Sequence, residues 1–368
     1  MKKKFLRCAV LVEIGAILCC LGAVFHMQGN SLPVSASAES EEEDFIKWVD
    51  FDVSYEALNA AYEYDLETYG QDVHVEWIPL LAYTAVHTGG SFSKDALNMM
   101  KETKEKLCAK ETTMEELTSG LKNYDYYLEA YDAVLHSYLG ENGGTYGLQV
   151  FSPIAKGFQY NDYDDFGSSR DYGYSRPHLG HDMMGLIGTP VIAVESGTVE
   201  ALGWNQYGGW RIGIRSDDTK RYYYYAHLRQ DRPYAQGLKE GDRVKSGDVI
   251  GYMGHTGYSK KENVNNIDSV HLHFGIQLIF DESQEDGNGE IWIDCYNLTR
   301  FLSKNRSEVI RDDATKEWKH VETDDDAAKE QKRVLTDDDA AKERKGAEKE
   351  QSGEQAETEQ NGERESAL

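Results

Sequence analysis

The chain has 368 residues, with 65 acids against 39 bases and a formal net charge of −26. Hydrophobic residues make up 40% and charged residues 28%, a globular mix that excludes wholesale disorder. At roughly 150 residues per domain the length suits two domains, and no Lys/Arg cluster beyond the first seven residues suggests a grip on nucleic-acid phosphates.

Residues 1–38 read as an export segment. Lys2, Lys3, Lys4 and Arg7 precede an apolar run, and Ala36-Ser37-Ala38 offers a small-residue cleavage site. Ile14 to Phe25 is uncharged but shorter than the roughly 20 residues of a membrane span. Against cleavage, Ala38 lies far beyond Phe25, so the segment is either a removed signal peptide or a retained N-terminal membrane anchor. Cys19 and Cys20 lack the small residues a lipidation site wants. In both cases the bulk of the chain is expected outside the cytoplasm.

Residues 45–140 are predicted to be an all-α domain with its own core. Tyr55, Leu58, Tyr62, Leu66 and Tyr69 recur at helical spacing. A second helix starts around Pro79 and stops at Gly89-Gly90, Ser93 caps a third to about Lys110, and Thr113 with Glu116 forms a capping box for a short fourth. Tyr126 to Leu139 gives a fifth. His74, His87 and His136 stand singly and are expected to be packing or surface residues. The many tyrosines suit either a contact surface for sugar or peptide or an ordinary packing face. Glu141 to Tyr146, with Gly143-Gly144, is read as a linker.

Beyond it, short β-like runs alternate with glycine from Val191 to Ile279, the texture of an antiparallel β domain over 151–310. Cys108 and Cys295, the two cysteines outside the export segment, form no disulfide framework and are expected to be buried thiols. From residue 312 the chain turns acidic, and Thr323–Glu330 recurs as Thr336–Glu343. With few apolar residues, 312–368 is expected to be a disordered acidic tail.

Two histidine clusters carry the chemistry. His178-Leu-Gly-His-Asp182 supplies a histidine and a carboxylate, and His271-Leu-His273 places two imidazoles on one face of a strand. Two histidines with His178 and Asp182 match the three N/O ligands and open position of a catalytic zinc. His181 is expected either to support the ligands from behind or to pack, and His255 to lie at the rim. Trp204, Tyr207 and Trp210 suit either a groove wall or the core.

His178-x-x-x-Asp182, Tyr225-Ala-His227-Leu and His271-x-His273-Phe, in this order, resemble the M23 (lysostaphin/LytM-like) metallopeptidases. Gly188–Val194, Gly241–Gly251 and Gly254-His-Thr-Gly257 are similar to further segments of that family, so the resemblance spans about 151–285. It implies a duplicated-hybrid-motif β fold, giving an α+β multidomain chain: helical domain, LytM-like β domain, acidic tail. It implies a Zn2+-dependent endopeptidase acting on peptidoglycan stem peptides, at the cell wall or on the outer face of the membrane. The resemblance makes His178, Asp182 and His273 the metal ligands and His271 and His227 the catalytic histidines, His271 as proton acceptor and His227 orienting water or steadying the oxyanion. Both D-alanyl cross-links and polyglycine bridges remain candidate substrates, the former preferred. The competing reading is a non-catalytic LytM-like module that activates or scaffolds another wall enzyme, which the presence of all five residues disfavours.

Overall fold

Alternating side chains build the central sheet. In β10 (Arg221–Ala226) the residues Arg221, Tyr223 and Tyr225 point to a buried face, while Tyr222 and Tyr224 point to the other. In β13 (His271–Leu278) the apolar Leu272, Phe274, Ile276 and Leu278 share that buried face, leaving His271, His273 and Gln277 opposite. The two strands pair antiparallel, Tyr225 against Phe274 and Ala226 against His273. A computed structural model describes residues 45–321 of the chain, apart from 143, 172–174 and 286–288.

Among the described residues five helices come first: α1 (Tyr55–Thr68), α2 (Trp77–Thr88), α3 (Lys94–Cys108), α4 (Met114–Thr118) and α5 (Tyr124–Leu135). Ser54 caps α1 by accepting from the Ala57 amide at 3.2 Å, and Thr113 with Glu116 closes the expected capping box on α4. Gly89 ends α2 in the left-handed conformation, φ 65°, which only glycine adopts without cost. Buried Asp65 of α1 accepts from the Trp77 amide at 2.8 Å, placing a carboxylate at the N-terminus of α2. The fifth helix ends at Leu135 rather than Leu139.

The Gly143-Gly144 stretch is no linker. The residues on either side pair as a hairpin of β1 (Leu139–Asn142) and β2 (Thr145–Leu148), with Glu141 opposite Tyr146. Tyr146 donates from its hydroxyl to Asp65 Oδ1 at 2.8 Å, tying the hairpin to α1.

The remaining strands are β3 (Asn161–Asp162), β4 (Ser169–Asp171), β5 (Ser175–Pro177), β6 (His181–Met184), β7 (Pro190–Ile192), β8 (Gly197–Asn205), β9 (Gly209–Ser216), β11 (Arg243–Val244), β12 (Val249–Tyr252), β14 (Ile291–Trp292), β15 (Val309–Arg311) and β16 (Trp318–His320). Among the described residues the main sheet runs β11-β8-β9-β10-β13-β6-β3, with β14 also on β13, all antiparallel. A short helix, α6 (Tyr296–Leu302), interrupts the expected all-β stretch.

The helices do not have a core of their own. Leu58, Leu80, Tyr131 and Leu135 belong to one continuous buried cluster with Val199, Tyr223, Phe274 and Leu302, and the described residues fall in a single compact unit. Phe301 of α6 packs edge-on against Tyr62, ring centres 5.5 Å apart. Fully buried Arg221 donates to the Ala133 carbonyl at 2.6 Å and to Glu195 at 2.9 and 3.1 Å, joining α5 to the back of the sheet.

Two further expectations change. Cys295 is buried, but Cys108, on the outer face of α3, is exposed. The tail does not begin at 312: β15 and β16 form a hairpin, Glu317 is buried and bonded to the Tyr252 hydroxyl and to Arg232, and His320 meets the Ser307 hydroxyl at 2.7 Å. The Thr323–Glu330 repeat and the export segment lie outside the described residues. Among the described residues no helix is long and apolar enough to cross a membrane.

Candidate metal centre and its cleft

Strand pairing brings the two histidine clusters together. β6 lies beside β13 with Asp182 directly opposite His273 and Met184 opposite His271, so the pleat sends Asp182 and His273 to the same face. His178 enters from the segment between β5 and β6. Its Nε2 lies 3.0 Å from Asp182 Oδ1 and 2.9 Å from His273 Nδ1, and His273 Nδ1 lies 3.0 Å from Asp182 Oδ1. Three lone-pair atoms thus form a near-equilateral triangle, and His178, Asp182 and His273 are the group that could hold a metal ion among the described residues.

The triangle suits zinc. Bonds of about 2.0–2.1 Å in tetrahedral geometry separate ligand atoms by about 3.3 Å, so the three side chains need only spread slightly. Two imidazole nitrogens and one carboxylate oxygen also fit the metal's preference, and all three residues line an open cleft of about 700 Å3 that leaves a fourth direction free. Gly180 makes room for this: a Cβ there would meet the His273 ring at 2.7 Å.

The electrostatics favour a deprotonated carboxylate. Burial raises the Asp182 carboxyl, but hydrogen bonds from His178 and His273 and the field of His271 outweigh it and hold it far below the ordinary range. Burial lowers His178, yet Asp165 and Asp182 beside it push it up to about 9. Burial pulls His273 down.

Sequence reading missed two residues here. His178 Nδ1 lies 3.2 Å from both the carbonyl oxygen and Oδ1 of Asp165, which orients the ring so that Nε2 faces the triangle. Arg170, on β4, bridges Asp165 and Asp182, reaching Asp182 Oδ2 at 3.2 Å and leaving Oδ1 for the centre. Neither residue sits in a motif. The available signal was the need of a ligating histidine for a partner on its other nitrogen.

His227 and His271 flank the triangle, ring centres 4.7 Å apart, and His271 Nε2 lies 3.8 Å from Asp182 Oδ1. His227 is 5.8 Å from His273 ring to ring. Each donates Nδ1–H to a backbone carbonyl at 2.9 Å, His227 to Thr256 and His271 to Ser269, so in the neutral ring Nε2 is the acceptor. Burial, with the fields of His271 and His273, pushes His227 well below the ordinary imidazole value. His227 follows β10 with φ 60°, and this left-handed turn directs its ring into the site.

The other histidines stay outside. His181 is buried against Tyr296 and bonded to the Thr299 hydroxyl at 2.6 Å, a packing role as expected, and half-buried His255 meets the Ile267 carbonyl. His74 bonds Asp65 and His136 bonds Asp132, both in the helical segment. Tyr207 lines the cleft, whereas Trp204 and Trp210 pack edge-on against each other and anchor Ser259 and Asn263.

Peptidase family M23 matches residues 176–286, a span that opens on β5 and contains all five histidine and aspartate positions above. The chain carries an M23 peptidase domain. Similar proteins include an L-Ala–D-Glu endopeptidase of Bacillus subtilis, 37% identical over 150 residues, 41% of this chain and 42% of that protein. Lysostaphin of Staphylococcus staphylolyticus is 40% identical over 98 residues, 26% of this chain and 18% of that protein. A solved Ruminococcus gnavus structure assigned as a glycyl-glycine endopeptidase covers 71% of this chain and 91% of its own, at 25% identity and a TM-score of 0.49. The chain spans less than half the length of these curated relatives. Asp165, Arg170 and helices α1 to α5 lie upstream of the M23 span, and β14, α6, β15 and β16 lie beyond it.

Proposed function

We propose that this is an exported zinc-dependent endopeptidase that hydrolyses peptide bonds in peptidoglycan cross-links. The observation that carries the reading is the triangle of His178 Nε2, Asp182 Oδ1 and His273 Nδ1, with the His271 and His227 rings beside it. In this reading His178, Asp182 and His273 are the zinc ligands, His271 and His227 the catalytic histidines, and 151–310 the catalytic unit, with 45–140 bracing it and 1–38 serving export.

Bound there, zinc supplies a Lewis acid that polarises the scissile carbonyl and the attacking water. The protein supplies the proton path. His271 Nε2 accepts a proton from water as the oxygen adds to the carbonyl carbon, then returns it to the departing amine nitrogen as the C–N bond breaks. His227 Nε2, held as an acceptor by its bond to Thr256, orients the water. While neutral it has no proton to offer an oxyanion, which supports orientation over the second role expected for it. Arg170 and Asp165 keep Asp182 and His178 aimed.

Elemental analysis of the purified protein, paired with amine release from isolated peptidoglycan, tests the proposal. About one zinc per chain is expected, with release lost on chelation and restored by zinc. Peptidoglycan left intact by fully loaded protein would sink the enzyme reading. Mass spectrometry of the released muropeptides would identify the bond.

A further inference from the structure

Arg170, behind Asp182, and Arg215, in the cleft wall, are matched to carboxylates: Arg170 to Asp165 and Asp182, Arg215 to Glu200 and Glu285. Arg176 departs from this pattern. Among the described residues it has no carboxylate partner, its Nη2 donates to the Tyr258 hydroxyl at 3.1 Å, and its buried Nε donates to nothing. The guanidinium lies 5.3 Å from the Tyr207 ring centre and 5.8 Å from that of Tyr258, so two aromatic faces hold it in place. Tyr258 lies 5.5 Å from the His227 ring, and Arg176 precedes His178 by two residues, which sets this cation in the cleft wall beside the reaction centre. Arg211 of β9 lines the same cleft and has no ion pair among the described residues.

With Nε buried, a fixed guanidinium that no protein carboxylate neutralises would take a ligand carboxylate through its Nη groups. We propose that Arg176, aided by the field of Arg211, binds a free carboxylate of the substrate next to the scissile bond. The inference rests on the peptidase reading and adds a substrate class: anionic stem peptides, which carry free carboxylates, in preference to polyglycine bridges, which carry none. A protein of net charge −26 repels such peptides at long range, and an unpaired cation inside the cleft offsets that repulsion where it matters.

The test uses the zinc-loaded full chain and paired synthetic muropeptides that differ only in bearing free carboxylates or the corresponding primary amides. Wild type should show a kcat/KM for the acid about 10- to 100-fold above the amide. In Arg176→Gln the ratio should fall towards one with zinc content kept, and Arg176→Lys should restore part of it. Equal wild-type rates on both forms, or an unchanged ratio in Arg176→Gln, would overturn the inference. If neither peptide is cut, the hydrolase reading fails, and calorimetry with the same pair decides the subsite by itself. Preferential binding of the acid, abolished in Arg176→Gln, supports it, and equal binding of both forms overturns it.

Discussion

His178 Nε2 and His273 Nδ1 stand 2.9 Å apart with Asp182 Oδ1 3.0 Å from each. The two imidazoles use different nitrogens, because His178 arrives along a loop whose Nδ1 side is taken by Asp165, whereas His273 projects from a strand with its far edge against Gly180.

The neighbouring histidines should separate cleanly on mutation. His273→Ala removes a corner of the triangle and should abolish both zinc retention and hydrolysis. His271→Ala leaves all three corners and should keep near-stoichiometric zinc while losing roughly 100- to 10,000-fold in rate. Added zinc should not rescue it. Zinc content measured beside kcat decides the matter, and loss of metal from His271→Ala would reverse the assignment.

Asp165 should matter through metal retention rather than through the reaction itself. Asp165→Asn removes the charge that steadies Arg170 and His178, and zinc affinity should fall about 10- to 100-fold, the usual cost of losing such support. Competition with a coloured chelator measures this. An affinity equal to wild type would show that the Asp165 carbonyl alone orients His178.

Truncation should distinguish two parts of the C-terminal region. A chain ending at Val321 should keep its thermal midpoint. One ending at Arg311 loses Glu317, Trp318 and His320, strands the Tyr252 hydroxyl and opens the Ser307 contact. An unpaired buried polar group costs about 1–3 kcal/mol, and each kcal/mol lowers the midpoint by about 2–4 °C in a domain of this size. Equal midpoints for the two truncations would mean that the β15–β16 hairpin adds nothing.

The helical segment should not fold alone. Residues 45–140 expressed without the sheet would expose Leu58, Leu80 and Leu135 and take Tyr138 away from Tyr223, whose hydroxyls lie 3.3 Å apart. Circular dichroism should show partial helix with no cooperative melt. A sharp two-state transition would reveal an independent core.

Much of this was legible in the residues. The alternation in β10 and β13 fixes which face each histidine takes, and the His-x-His spacing survives folding because a strand has a period of two. Helix limits followed from Ser93, Thr113 and Gly89, whose local chemistry depends on nearest neighbours. What escaped reading depends on distant partners. Gly143-Gly144 suits a linker or a hairpin equally until Tyr146 finds Asp65. Residues 312–321 look like acidic tail until Glu317 finds Tyr252 and Arg232. Asp165 and Arg170 acquire meaning only when the chain folds them against His178 and Asp182.

The left-handed backbone at His227 places two demands on one position. The imidazole serves the chemistry, while φ of 60° is tolerated by histidine, asparagine and aspartate and by glycine best of all. A lineage that gave up hydrolysis but kept this fold as a binding module would therefore find its easiest exits narrow. Asparagine or glycine could replace His227 without rebuilding the turn after β10, whereas a β-branched residue would have to unwind it. The backbone thus restricts how the activity can be lost, independently of the reaction it serves.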